Sequence, residues 1–115
     1  MEHTTANLLP DFPPDAFVGE IRGDKSRSSR SFYTQVAKCL RFPDYFGRNL
    51  DALFDCLCAL DDIPQSDVVL LIHQYEQWLE LEKPDKRSDT LSVLRDAENP
   101  ENRTDDKRFR VYLLT

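Results

Sequence analysis

At 115 residues, the chain is long enough for one hydrophobic core and too short for two domains. Hydrophobic residues make up 40% and charged residues 31%, a composition typical of a globular domain and not of a disordered chain, and no apolar run is long enough to span a bilayer. We therefore expect no membrane partner, and the formal net charge of −6 disfavours binding to nucleic acid and favours a cationic protein as the partner.

The first predicted segment is a leader over residues 1–16, which contains three prolines and little periodic apolar pattern. We expect it to be extended or loosely packed, ahead of a single domain over residues 17–115. Its first residues lack the basic start and the apolar stretch of a secretory signal, so the expected location is the cytoplasm.

Residues 17–21 are predicted to form the first strand, because they are short, partly β-branched and followed by a polar loop. The next segment predicts an amphipathic helix of about three turns. Its apolar residues recur at helical spacing: Phe32, Val36, Cys39 and Leu40. Ser29 or Ser31 is expected to cap the start of this helix, and Pro43 to close it.

The second predicted helix follows an aromatic loop at residues 42–48 and has Asn49 as its expected N-cap. Its buried stripe consists of four leucines: Leu50, Leu53, Leu57 and Leu60. Asp51 and Asp55 fall on another face, with Cβ atoms about 6 Å apart because one helical turn separates them. They belong to residues 44–62, which carry five aspartates and one arginine and therefore attract cationic proteins and repel phosphates.

The second half of the chain predicts two more strands. Residues 68–72 form a continuous apolar run typical of a central strand, and residues 109–114 form the last strand. Between them we expect a short helix around residues 75–81, an exposed connection at residues 82–89 and a further helix around residues 91–97. The order β-α-α-β-α-α-β predicts an α/β fold in which a three-stranded parallel sheet packs with about four helices.

Cysteine and histidine residues are too few and too scattered to suggest a metal centre. Cys39, Cys56 and Cys58 leave at least one thiol unpaired, and no C-x-x-C pair occurs. His3 and His73 offer no ligand pair beside them. We therefore expect no disulfide framework, no metal and no cofactor.

The segment PDYFGRNLDALFDCL, residues 43–57, closely resembles the signature loop and helix of the barstar family. Weaker similarity covers most of residues 17–115 in the same element order, whereas the leader, the connection after Trp78 and the loop at residues 99–108 lie outside it or are longer. The resemblance implies a barstar-like fold and an inhibitor, not an enzyme. Such an immunity protein or antitoxin is monomeric when free and blocks the active site of a basic, barnase-like ribonuclease or ribonuclease toxin.

The two helical aspartates suit that role chemically. A ribonuclease active site binds phosphates with basic side chains, and carboxylates on a rigid helix can occupy the same positions. By resemblance, Asp55 enters the phosphate-binding centre and Asp51 pairs with a nearby arginine. The alternatives are that Asp51 only complements the helix dipole and that Asp55 is an ordinary solvated residue.

The resemblance implies further contacts around these acids. Tyr45 is an interface aromatic, with packing onto the core as the alternative, and Asn49 combines cap and contact. Gly47 is expected to supply a backbone conformation open to few other residues. Four further contact positions depart from the family: Phe46 stands for a tyrosine, Phe54 for a tryptophan, Cys58 for a small hydroxyl residue and Asp96 for a glutamate. Cys58 could join either the contact or the core, and Leu50 completes the predicted surface.

Two other functions stay open at this stage. An enzyme could use Asp51, Asp55 and His73, but the sequence offers no nucleophile or Gly-rich phosphate loop to accompany them. An interaction module of the same fold could bind a different basic protein, because a fold does not fix its target. Stoichiometric loss of ribonuclease activity, with association slowed by salt, distinguishes the inhibitor from both.

Overall fold

A four-stranded parallel sheet organises the chain in a computed structural model that describes residues 1–115. The strands are β1 (Glu2–Thr4), β2 (Phe17–Arg22), β3 (Asp67–His73) and β4 (Arg108–Leu114), in the spatial order β1-β4-β3-β2. The helices are α1 (Ser29–Cys39), α2 (Leu50–Leu57) and α3 (Pro84–Glu98). Helices α1 and α2 connect β2 to β3, and α3 connects β3 to β4. None of these helices combines the length and the apolar composition that crossing a membrane requires.

The predicted α/β fold with a parallel sheet is confirmed, but the predicted count of three strands and about four helices is wrong. The additional strand, β1, lies in the leader and pairs with the edge of β4, with Glu2 opposite Tyr112 and Thr4 opposite Leu114. A three-residue strand is too short to show a period of two in the sequence, and its hydrogen-bonding partner lies at the other end of the chain.

The prediction of a helix around residues 75–81 is wrong, because the backbone conformation at both ends of this segment prevents a regular helix. Gln74 and Leu79 adopt left-handed conformations, with φ of 46° and 56°, and only a 3₁₀ turn at Tyr75–Gln77 forms between them. The predicted exposed connection at residues 82–89 is also wrong, because α3 begins at Pro84 and most of that charged run forms its first half. Proline is favourable at the first helical position, since its missing N–H has no partner there anyway.

A serine pair fixes the start of α1, with a cap one residue before Ser29 and three before Ser31, the two predicted caps. The Ser31 backbone N–H donates to Ser28 Oγ at 3.2 Å, and the Ser28 N–H donates to Ser31 Oγ at 3.2 Å. This reciprocal capping box makes Ser28 the cap and gives Ser31 a supporting role.

All three helices pack on one face of the sheet. The main core joins inward-facing strand residues with apolar residues of the helices, among them Leu70, Val111, Phe32, Leu53 and Leu94. The opposite, outer face carries Val69, Leu71, Tyr112 and Leu114. Leu9 and Phe12 of the leader cover that face, with the Phe12 ring 5.5 Å from the Tyr112 ring. The leader therefore crosses the outer face of the sheet, and α2 lies on the inner side.

Candidate functional site

Helix α2 is held at its start by the predicted cap. Asn49 has an extended backbone, and its Oδ1 accepts a hydrogen bond from the Ala52 N–H at 2.8 Å. Leu53 and Leu57 are fully buried, so the leucine face of the helix is fixed in the core. The helix ends at Leu57, and Leu60 is buried beyond it. This orientation turns the aspartate face of α2 outward.

Asp51 and Asp55 are both exposed, and neither carboxylate belongs to any of the six ion pairs of the chain. Arg48, the only basic residue within residues 44–62, points elsewhere. Its guanidinium donates to the Arg30 carbonyl and to Thr34 Oγ1, both at 2.8 Å. The negative charge of α2 therefore remains uncompensated within the chain.

A shallow groove between α2 and α3 brings Asp96 beside the two acids. Three exposed carboxylates line it, and its apolar lining comes from Leu50 and Phe54 on α2 and from Val93 on α3. Acidic groups from two helices thus meet over a partly apolar floor. Such a surface can hold cationic side chains together with their aliphatic stems.

The sequence model of the family described as Barstar (barnase inhibitor) matches residues 16–113. The chain belongs to the barstar family. The resemblance deduced from residues 43–57 is thereby confirmed. A Bacillus subtilis (strain 168) protein named "Putative ribonuclease inhibitor YrdF" is 51% identical over 37 residues, which is 32% of this chain and 37% of that relative. This match spans little more than a third of the relative's length.

Of the two aromatic residues predicted to contact the partner from the aromatic loop, one is exposed to solvent. Tyr45 is 86% exposed, whereas Phe46 is half-buried. The Phe46 ring lies 5.7 Å from the Tyr33 ring and 5.1 Å from the Phe42 ring, both in edge-to-face arrangements. The loop therefore anchors itself through Phe46 and leaves Tyr45 free beside the acids.

The predicted special backbone at Gly47 is wrong, because the left-handed residue is Arg48, with φ of 54°. A Cβ atom on Gly47 would lie 3.3 Å from Asn49 Nδ2 and 3.4 Å from the Ala52 Cβ. Glycine here leaves room for the capping side chain instead. Arginine has no particular preference for this conformation, so residue type alone could not predict it at Arg48.

Cys58 is placed in the barstar core instead of on the exposed contact surface, with only 3% of the residue exposed. Burial raises the pKa of its thiol, Arg103 opposes this, and the carboxylates of Asp105, Asp55 and Asp96 raise it further. Burial likewise raises the pKa values of the Cys39 and Cys56 thiols. All three thiols are held in the protonated form at neutral pH, which is the opposite of what a cysteine nucleophile needs.

His73 lies away from the acids of α2. It ends β3 on the outer face of the sheet, where its Nε2 is 2.8 Å from Glu20 Oε1. Asp51 and Asp55 project from a helix on the other side. The acid and histidine combination that an enzyme would need is therefore not assembled.

Proposed function

We propose that this chain inhibits a barnase-type ribonuclease by placing the exposed acids of α2 in the enzyme's phosphate-binding site. Membership of the barstar family supports a ribonuclease-inhibitor role in general terms. The observation that carries the finer proposal is the groove in which Asp51, Asp55 and Asp96 are all exposed and lack internal partners.

Unpaired acids on a rigid helix suit this role energetically. An arginine of the enzyme can bind Asp55 without displacing an internal cation, so no existing ion pair opposes association. The Asn49 cap and the buried leucines hold α2 before binding, which limits the conformational entropy lost on association. The concentrated negative charge also accelerates encounter with a basic enzyme.

Tyr45 supplies the aromatic part of the proposed contact. An exposed tyrosine on an anchored loop buries a large area on binding and loses little side-chain freedom. Phe54 lines the groove together with Asp51 and Asp55 and adds apolar area to it. We propose that Tyr45, Leu50 and Phe54 surround the acidic centre and exclude water from it.

The test is titration of the purified chain into barnase and a panel of other barnase-type bacterial ribonucleases, with activity followed on a fluorescent RNA. We expect at least one enzyme to lose activity in a one-to-one ratio, and the association rate to fall as salt rises. Loss of activity in none of them contradicts the proposal. Binding to an enzyme without loss of its activity favours the interaction module instead.

The Asp55→Ala variant tests where the inhibitor acts. We expect Asp55→Ala to weaken binding to the ribonuclease by about 2–5 kcal/mol, the cost of truncating one partner of a buried, hydrogen-bonded charge pair. This range is drawn from charged interfaces that include barnase–barstar. Asp89→Ala is the matched control, because Asp89 is another exposed helical aspartate and lies on α3 outside the groove. Equal effects of the two substitutions on the inhibition constant would be incompatible with the proposed contact.

A further inference from the structure

A second cavity, of about 600 Å³, opens on the other side of Asp55. It is distinct from the groove that contains Asp51 and Asp96, and it shares only Phe54 and Asp55 with that groove. Four segments line it: the end of α1 with the aromatic loop, α2, the connection at residues 58–62, and the loop after α3. The last of these belongs to residues 99–108, which the sequence resemblance did not explain.

The charge of this cavity is negative. Asp55, Asp61 and Asp62 line it, all three are exposed, and none takes part in an ion pair. Arg41 is the one basic residue in the lining. Its guanidinium donates to the backbone carbonyl of Asp62 at 3.2 Å and lies 5.2 Å from the centre of the Phe17 ring. Arg41 therefore binds a backbone carbonyl and forms no ion pair with the carboxylates.

The rest of the lining is largely apolar and aromatic. Eight of the fifteen lining residues are hydrophobic, and they include the exposed Tyr45 and the half-buried Phe54. A guanidinium group stacks on aromatic faces and binds carboxylates in a planar, two-pronged way, while its aliphatic stem covers apolar surface. Arginine can therefore use the aromatic, acidic and apolar parts of the lining at once. Lysine suits them less well, because its compact ammonium group is more strongly hydrated.

The wall formed by the loop after α3 is held in place by hydrogen bonds to the connection at residues 58–62. Thr104 donates to the Cys58 carbonyl through its N–H at 3.1 Å and through its Oγ1 at 3.2 Å. The Leu60 N–H donates to Asp105 Oδ2 at 3.1 Å, and the buried Arg103 pairs with Asp105 at 2.8 Å. The cavity is therefore formed before any partner arrives, which reduces the entropy lost on binding.

We propose that this cavity is a second partner-binding subsite that receives one arginine side chain of the ribonuclease next to Asp55. The inference rests on the proposed inhibitor function and names a further part of the partner that the same surface recognises. Asp61 and Asp62 supply charge, Tyr45 and Phe54 supply the stacking faces, and Asn102 and Thr104 close the far wall.

The cavity can be tested without any enzyme, by NMR titration of the isotope-labelled full chain with N-acetyl-arginine methylamide. We expect amide shifts in residues 60–62 and 102–104, with a dissociation constant in the millimolar range. The neutral citrulline counterpart should bind about fivefold more weakly or worse, because exposed charge pairs contribute modestly but add together. An Asp61→Asn/Asp62→Asn double variant should lose most of this difference, and Asp89→Asn should keep it.

Three results would overturn the subsite. They are shifts of equal size with the citrulline compound, shifts confined to other parts of the chain, and a lysine analogue that binds as tightly as the arginine compound. The last of these would indicate a general cation surface instead of an arginine subsite.

A second experiment separates failure of the subsite from failure of the proposed function. With a ribonuclease that the unmodified chain inhibits, the Asp61→Asn/Asp62→Asn variant should raise the inhibition constant about twofold to thirtyfold. An unchanged constant refutes the subsite and leaves the inhibitor function standing. If no ribonuclease is inhibited by the unmodified chain, the proposed function fails, and the arginine titration still decides whether the cavity binds guanidinium.

Discussion

Replacing Asp105 by alanine is expected to destabilise the protein by about 3–5 kcal/mol, because the change leaves the buried cation of Arg103 without its partner. The side chains of Arg103 and Asp105 are 1% and 12% exposed, and two hydrogen bonds of 2.8 and 2.9 Å join them. The same carboxylate also accepts the backbone N–H groups of Leu60 and Lys107, both at 3.1 Å. The substitution therefore removes four hydrogen bonds from one partly buried acceptor.

The pH dependence of this loss follows from the pKa of Asp105. Burial by itself would raise that pKa, but the hydrogen bonds from Arg103, Leu60 and Lys107 outweigh burial and hold it below the usual 3.8. A carboxyl whose pKa is lowered in the folded state adds stability above the unfolded-state pKa and loses it as pH falls through the folded-state pKa. The stabilities of the unmodified chain and of Asp105→Ala should therefore converge only in acid, below about pH 4.

Urea unfolding followed by circular dichroism at pH 7 measures the effect. We expect a lower midpoint with an unchanged slope, since the folded state keeps its compactness. Asp24→Ala is the matched control, because Arg22 and Asp24 have the same sequence spacing and a similar double hydrogen bond, but Arg22 is 57% exposed. Solvent screens the Arg22–Asp24 pair, so Asp24→Ala should lower the free energy of unfolding much less than Asp105→Ala does. Comparable losses for the two variants would refute the account of the buried pair.

Two further substitutions test the support of the site and of the leader. Asn49→Ala removes the cap of α2 and should lower stability by about 1 kcal/mol, with faster hydrogen exchange in the first turn and weaker inhibition; unchanged exchange would contradict the capping role. Phe12→Ala uncovers part of the outer sheet face and should destabilise by about 1–3 kcal/mol, less than a fully buried phenylalanine does, with no effect on inhibition; thermal unfolding and the ribonuclease assay together check this.

The features that the sequence predicted well are those encoded locally. The leucine stripe of α2 and its Asn49 cap follow from spacing and residue type within about ten positions. The same spacing turns Asp51 and Asp55 to a separate face. Strand β3 is similarly evident because one continuous apolar run specifies a strand buried on both faces.

The features that the sequence missed depend on distant parts of the chain. Strand β1 exists because the edge of β4 offers backbone partners more than 100 residues away. Only the family resemblance predicts Asp96 at the site, because packing between α2 and α3, not spacing along the chain, brings it beside the acids of α2. The far wall of the cavity depends on a contact between Thr104 and Cys58, 46 positions apart. Periodicity within a window of residues carries no information about such contacts.

Two arginines border the aromatic loop, and both have left-handed backbones. The φ angles are 56° for Arg41 and 54° for Arg48. Each such conformation costs about 1–3 kcal/mol in a residue other than glycine and persists only where the surroundings hold it. Here the guanidinium groups do so, because Arg41 donates to the Asp62 carbonyl and Arg48 donates to α1. The loop that carries Tyr45 is thus fixed at both ends.

The choice of acceptors for these arginines bears directly on function. Ion pairs from Arg41 or Arg48 to Asp51 or Asp55 would also have fixed the loop, but a cationic partner would then have to displace them before binding. Hydrogen bonds to backbone carbonyls and to a hydroxyl hold the loop without neutralising the acids. Exposed ion pairs add little to stability, so leaving the acids unpaired costs the fold little. In the proposed complex, the same unpaired charge would meet cationic side chains of the ribonuclease, and close charge pairs at an interface can couple more strongly than exposed ones do.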